Sequence, residues 1–191
     1  EDIKYFSMNA VEGLTPVTSS SEEFSRLGIK LSFLTTLTDR LLLHYPIEEI
    51  EQWTTADVCQ KVIKPLTEKY QCSFCEYQQC IDPEVIGLAD AFISHAWSYR
   101  FVDVVEGLLE YFEGELDVLI WFDVFSHNQH KNASRDFNWW SNTFKTAIRE
   151  IGRTVMVLSP WNNPTPLTRG WCIWELYCTI DVKCDFGIAM S

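Results

Sequence analysis

The residue of this chain best suited to chemistry is a glutamate within a strongly apolar stretch. Glu175 follows Trp171 by four residues, a spacing that places both side chains on one face of a helix. The surrounding residues 170–180 are apolar almost all round, which is unusual for a solvated surface charge. An ordinary solvent-facing glutamate remains the alternative. A carboxylate placed in such surroundings is able to stabilise positive charge on a bound ligand.

A second group of candidates follows a short apolar run. Ala91–Ser94 is typical of a buried parallel strand, and α/β sheets bind ligands beyond the carboxyl ends of such strands. Ser94, His95 and Trp97 therefore lie where a ligand is expected. Arg100 is a candidate for contacting a diphosphate. For His95 a structural role, and for Arg100 a surface ion pair, remain open alternatives.

The cysteines were considered as metal ligands. Cys72, Cys75 and Cys80 are closely spaced, and Cys59 is a possible fourth ligand. Structural zinc needs four ligands in a tetrahedral array, and no second C-x-x-C pair follows. We therefore predict no bound metal and interpret these residues as ordinary buried cysteines. The chain also contains no Walker loop, glycine-rich dinucleotide fingerprint or G-x-S-x-G elbow.

Composition narrows the classes of partner. The 191 residues carry a net charge of −12, with 15 Lys and Arg against 27 Asp and Glu. Nucleic acid and anionic membranes are therefore poor partners, because both favour a clustered basic surface. No run approaches the roughly 20 apolar residues of a membrane span. Seven cysteines without a recognisable targeting segment predict a reducing, cytoplasmic location.

The elements that must position these candidates fall into two parts. Residues 1–86 are predicted to form a helical N-terminal segment. It contains a long helix over Ser21–Tyr45 and a second helix that begins after Thr54 and is kinked or ended by Pro65. The apolar stripe of the long helix is expected to pack against the second part of the chain or a partner copy through Leu31, Leu34 and Leu41.

Residues 87–191 alternate between strand and helix patterns. Buried-strand patterns are centred on four residues, which are predicted to lie on neighbouring parallel strands: Ile93, Ile120, Val157 and Ile188. Three helical patterns separate them: Phe101–Phe112, Trp139–Glu150 and Gly170–Ile180. This alternation predicts an α/β fold, a parallel sheet with helices on both faces.

Four stretches in this second part resemble the Toll/interleukin-1 receptor (TIR) family. They are Asp90–His95, similar to the first TIR strand, Trp121–Asp123, similar to the end of the second, Val155–Pro160, similar to the third, and Trp171–Leu176, similar to the Trp-Cys-x-x-Glu-Leu stretch of the third helix. They come in the family's order. The resemblance implies a flavodoxin-like TIR domain over residues 87–191, in a TIR-like module of a larger eukaryotic signalling protein.

The sequence departs from the family pattern at two points. The polar stretch Val124–Phe137, which corresponds to the BB loop, lacks the Pro-Gly pair common in receptor TIR domains. It is expected to act as a lid over the site. The chain also stops at the fourth strand, before the usual last strand and helix, and the N-terminal helices are expected to cover the exposed edge.

The resemblance also implies a function. Some TIR domains cleave NAD at the nicotinamide–ribose bond with one glutamate, which corresponds here to Glu175, so NAD would be a substrate and no cofactor is expected. The residues expected to bind it are Ser94, His95, Trp97, Arg100, Trp121, Phe122, Asp123 and Trp171. For Trp121 and Phe122 this means an aromatic wall, with core packing an equally good interpretation.

Two other functions stay open. Other TIR domains are non-catalytic scaffolds that bind TIR domains, including copies of themselves, in immune or stress signalling. A nucleoside-processing glycosidase would use the same carboxylate chemistry on a smaller ligand.

Overall fold

A computed structural model describes residues 25–130, 137–162 and 164–190. Within them one sheet contains six strands in the order β2-β1-β4-β3-β5-β6. The strands are β1 (Leu27–Lys30), β2 (Ile86–Leu88), β3 (Ala91–Ser94), β4 (Leu119–Phe122), β5 (Arg153–Leu158) and β6 (Asp185–Met190). The helices are α1 (Leu31–His44), α2 (Ile47–Ile50), α3 (Thr55–Val58), α4 (Lys64–Thr67), α5 (Phe74–Ile81), α6 (Phe101–Tyr111), α7 (Asp123–Ser126), α8 (Phe137–Ile151) and α9 (Gly170–Asp181). The predicted α/β class is confirmed.

The second half of the chain forms the parallel part of the sheet. β4, β3, β5 and β6 are adjacent and mutually parallel, so Ile93, Ile120, Val157 and Ile188 lie on neighbouring strands as predicted. Numbered along the chain, these strands have the order 2-1-3-4, the beginning of the flavodoxin-like arrangement. Successive connections run first to one side of β3 and then to the other, which makes the β3–β5 edge the switch point.

Helices cover the two faces of this sheet. On one face, β-strand side chains such as Ile93 and Val157 join a large core with α1 and α6. On the other face, Phe92 and Trp121 stack at 4.9 Å and pack against Phe144 of α8. The alternation of neighbours along β3 directs Ser94, like Phe92, toward this second face.

The long helix predicted over Ser21–Tyr45 begins later than predicted. Leu27–Lys30 forms β1, which pairs antiparallel with both β2 and β4. The long helix therefore begins at Leu31, and the part of it assigned to residues 21–24 lies outside the described residues. Leu27 and Leu31 share a helical spacing, but pairing with the sheet outweighs it. Gly28 suits this position because a Cβ there would come 2.8 Å from the Ile120 carbonyl oxygen.

The remaining helix predictions are largely confirmed. Leu31, Leu34 and Leu41 of α1 are fully buried in the large core. Thr54 begins the second helix with a capping box. Pro65 does not end that helix, because a π-helical turn over Cys59–Ile63 precedes it and α4 continues to Thr67.

The polar stretch after β4 is less irregular than expected. Val124–Phe137 was interpreted as a loop, but its first residues belong to the single turn α7. Ser126 closes this turn, since its hydroxyl accepts a hydrogen bond from the backbone N–H of Phe122 at 3.2 Å. Residues 131–136 lie outside the described part of the chain.

Candidate functional site

A cavity of about 360 Å³ lies beside β3 at the carboxyl edge of the parallel sheet. Ile93 and His95 at the end of β3, Asp123 at the end of β4 and Glu175 on α9 all line it. Parallel strands and their crossover helices bring these residues to one edge although up to 82 positions of sequence separate them. The cavity therefore lies at the switch point, where α/β sheets bind ligands.

Glu175 is held in a fixed orientation within this cavity. The Ser94 hydroxyl, at the end of β3, donates to Glu175 Oε2 at 2.5 Å. The Trp171 side chain, one turn earlier on α9, also hydrogen-bonds to the Glu175 carboxyl group. Since the indole N–H is the donor of tryptophan, both partners donate to the glutamate. The predicted juxtaposition of Trp171, Ser94 and Glu175 is what the structure contains.

The backbone beneath Glu175 is tied to the sheet. The Thr179 hydroxyl, one turn later on α9, donates to the Glu175 carbonyl oxygen at 2.8 Å. Thr179 Oγ1 also shares a hydrogen bond of 2.9 Å with Thr154 Oγ1 on β5. All of these hydroxyls are buried. Their hydrogen bonds fix α9 against β5 and thereby fix the height of the carboxyl group above the strand ends.

Burial makes Glu175 a weak acid. The side chain is 5% exposed, and desolvation raises its pKa to about 8. The Ser94 and Trp171 hydrogen bonds and the positive charge of Arg169 act in the opposite direction but do not cancel this effect. A pKa this far from the ordinary value of 4.5, in a cavity, is typical of a functional group.

Asp123 is the second acid of the cavity. It accepts hydrogen bonds from the Trp97 indole N–H at 2.7 Å and from the Val124 backbone N–H at 2.8 Å. Burial raises its pKa to about 6, less than for Glu175, and 22% of the side chain remains exposed. Asp123 therefore orients Trp97, begins α7 and adds negative charge to the cavity.

His95 links the cavity to the N-terminal part of the chain. Its Nε2 lies 2.9 Å from Thr55 Oγ1, whose hydroxyl donates to the Trp97 carbonyl oxygen. The Nε2–H of His95 must then be the donor to Thr55, and Nδ1 faces Asp123 at 3.7 Å. Burial lowers the pKa of His95 to about 3, so the ring is neutral and the contact with Asp123 is not an ion pair.

Aromatic side chains form the walls of the cavity. Trp97 and Trp171 were predicted, while Trp140 and Phe144 of α8 are additional. Phe144 meets Trp171 edge to face at 5.1 Å and packs on Trp140 at 5.8 Å. Such walls suit a flat, weakly polar or cationic ring.

Four of the predicted ligand-binding residues are not among those that line the cavity, and one of them, Ser94, acts on the site through its hydrogen bond to Glu175. Trp121 and Phe122 are buried in the two cores on either side of the sheet, which supports the packing interpretation. Arg100 lies before α6 and forms a two-point ion pair with Asp103, with both distances 2.8 Å. Trp121 and Phe122 are neighbours on β4, so their side chains point to opposite faces of the sheet.

Arg169 is a cavity residue that sequence reasoning missed. It directly precedes α9, is exposed, and is the one cationic side chain among the described residues that line the cavity. Arg169 precedes a glycine in a polar stretch, and nothing in that local sequence indicates a binding role. The other lining residues not predicted for the site are Ile93, His127, Gln129, Trp140, Phe144 and Cys172.

Two further findings concern metal-binding groups and membrane-spanning helices among the described residues. Within them no group of three His, Cys, Asp or Glu side chains is arranged to hold a metal ion. Cys75 shares a hydrogen bond with Ser126, and Cys80 is exposed. No helix of the described chain has both the length and the apolar character of a membrane span.

Comparison of the chain with models of protein families, with curated proteins and with solved structures finds no match. The geometry and chemistry of the cavity are therefore the basis for proposing a function.

Proposed function

We propose that this chain is a TIR-type domain that cleaves the bond between nicotinamide and ribose in NAD. The observation that carries the proposal is the buried carboxyl group of Glu175, held by Ser94 and Trp171 inside an aromatic cavity at the switch point of the sheet. Its wider setting, as in the TIR proteins it resembles, would be immune or stress signalling. The motifs of the second half of the chain add the family resemblance to this geometry.

The reaction needs one well-placed negative charge. As the bond from ribose C1′ to the pyridinium nitrogen breaks, its electron pair neutralises the nicotinamide ring and positive charge develops on the ribose. The ionised Glu175 stabilises that charge. A water oxygen then bonds to C1′ and releases one proton to solvent. The leaving group departs as a neutral ring, so no acid is required to protonate it.

The shape and walls of the cavity agree with this substrate. Its volume of about 360 Å³ is at the lower end of the usual range for small-molecule sites. It therefore suits the nicotinamide riboside part of NAD, with the remainder extending outward. Trp97, Trp140 and Trp171 provide flat surfaces for a positively charged ring.

The raised pKa of Glu175 is compatible with a cationic substrate. In the cavity without a ligand, a pKa of about 8 leaves Glu175 mostly protonated at pH 7. A pyridinium ring bound nearby favours the charged carboxylate and lowers this pKa. Binding and ionisation are thus coupled, and we expect kcat/KM to rise with pH up to about 8.

The test is the release of nicotinamide from NAD by concentrated wild-type protein and by Glu175→Gln. The amide keeps the shape of the side chain but removes its charge, so we expect a loss of about 100-fold or more. Glu76→Gln is the matched control, because Glu76 is buried to a similar degree on α5 but does not line the cavity. Undiminished activity of Glu175→Gln would contradict the proposal.

A scaffold function remains the second candidate, and one observation favours it. Apolar side chains on α9 and on β6 are exposed, and no described strand pairs with the outer edge of β6. They are Ile173, Tyr177 and Ile180 on the helix and Phe186, Ile188 and Met190 on the strand. Exposed apolar surface of this kind is typical of protein contacts. If the wild type releases no nicotinamide even when fused to an oligomerising partner, the scaffold function is the better explanation.

A further inference from the structure

Resting on the proposed function, we propose that Arg169 makes the cavity selective for phosphorylated ligands. The substrate class is then a pyridinium nucleotide, which carries a phosphate on its ribose. The corresponding nucleoside lacks that phosphate and would be a poorer ligand. Arg169 is not among the residues predicted from the sequence, and its role is in specificity. It also separates the NAD-type substrate from the smaller nucleoside that the sequence left open.

Charged side chains of the cavity differ in how far they are exposed to solvent. Glu175 is buried and Asp123 keeps 22% of its side chain exposed, whereas Arg169 is exposed where α9 begins. Among the charged residues of the cavity, the two acids are thus the more enclosed and the cation is nearer to solvent. A pyridinium nucleotide has the matching arrangement, a positive ring at one end and a negative phosphate at the other.

Arg169 acts electrostatically on several groups of the site. Its positive charge acts to lower the pKa values of Glu175, Asp123 and His95, although burial raises the first two overall. The guanidinium is therefore within electrostatic range of all three groups. Arg169 also lines the same cavity as these three residues, which agrees with that range.

The ion pairs of the described residues leave Arg169 without a competing acid. It forms no ion pair with any residue in the described ranges, whereas Arg26, Lys30, Lys145 and Arg100 each pair with a carboxylate. A guanidinium without a protein partner has its donors available for phosphate oxygens, which it binds in a two-point geometry.

The experiment measures binding, so that it does not depend on turnover. Nicotinamide mononucleotide and nicotinamide riboside are titrated separately into the wild type, Arg169→Gln, Arg169→Lys and Arg100→Gln. Quenching of tryptophan fluorescence reports occupancy, because Trp97, Trp140 and Trp171 line the cavity. Arg100→Gln is the matched control, since Arg100 is also exposed but lies outside the cavity lining.

We expect the wild type to bind the mononucleotide about tenfold more tightly than the riboside, a preference that decreases with salt. Arg169→Gln should lose this preference by weakening mononucleotide binding alone. Arg169→Lys should retain part of it, and Arg100→Gln all of it.

Equal wild-type affinity for the two ligands, binding of neither, or a preference that persists in Arg169→Gln overturns the inference. Failure of the proposed function gives a different result. In that case the Arg169-dependent preference is observed, but the wild type releases no nicotinamide.

Discussion

The two faces of the sheet differ in what their buried residues do. The buried side chains that α1 and α6 place against one face are apolar and belong to a large core. The face covered by α8 and α9 has a core of six buried residues, and beside it lie the buried polar groups Ser94, Thr154, Glu175 and Thr179. Burying polar groups costs free energy unless each is hydrogen-bonded, and these are.

The difference indicates how the fold tolerates a buried carboxyl group with a raised pKa. A carboxyl group held at a pKa of about 8 costs stability when it is ionised. The apolar face supplies burial that offsets this cost, and the α8–α9 face carries the cavity. If this division is correct, substitutions on the two faces should affect different properties of the protein.

Matched phenylalanine truncations test the division most directly. Phe101→Ala, in the large core, should reduce the free energy of unfolding by about 3–5 kcal/mol and leave ligand affinity unchanged in the folded protein. Phe144→Ala should cost less stability, because part of its surface lines the cavity, but weaken ligand binding. Urea denaturation and ligand titration measure the two effects. A larger stability loss for Phe144→Ala would contradict the division.

The second prediction concerns stability and pH. The folded-state pKa of Glu175, about 8, is above its ordinary value of 4.5, so the folded protein binds the extra proton between these pH values. The contribution of this group to stability therefore falls as pH rises from about 4.5 to 8. Glu175→Gln has no such proton.

We expect Glu175→Gln to be close to the wild type at pH 5 and more stable at pH 9. The gain should be a few kcal/mol, since one pKa unit corresponds to roughly 1.4 kcal/mol. The free energies of unfolding of the two proteins are compared at each pH. Both proteins contain His95 and Asp123, so the contributions of these groups cancel in the difference. Denaturation curves whose difference is the same at both pH values would show that Glu175 is not the buried acid described.

The smallest expected effect is on the hydrogen bond from Ser94. Its hydroxyl lowers the pKa of Glu175, so Ser94→Ala should raise that pKa further. The pH profile of nicotinamide release should move upward by about one pH unit. Ser126→Ala is the control, because Ser126 is equally buried but hydrogen-bonds to Phe122 and Cys75 outside the cavity. An unshifted profile in Ser94→Ala would mean that Ser94 does not act on Glu175.

Local patterns were sufficient for the parallel half of the fold. The apolar runs around Ile93 and Val157 and the helices between them were predicted because buried strands and amphipathic helices have distinct periodicities. β1 was missed since its pairing with β4 is a tertiary interaction. Its residue Leu27 also fits the helical stripe that continues through Leu31 and Leu34.

The site was predicted in part. Glu175, Trp171, Ser94, His95, Trp97 and Asp123 meet at one edge, because parallel topology places strand ends together. Arg100 and Arg169 show where sequence reasoning stops. Both are exposed arginines that directly precede helices, and only the fold determines which of them lies beside the cavity.

The antiparallel pairing of β1 has a consequence for dividing the chain. β1 lies between β2 and β4, and Thr55 holds the imidazole of His95. A cloning boundary at residue 86 would remove both and leave the β4 edge bare. The segment before the TIR-like motifs is thus not an independent module, and a fragment designed on those motifs alone would lack part of its own sheet.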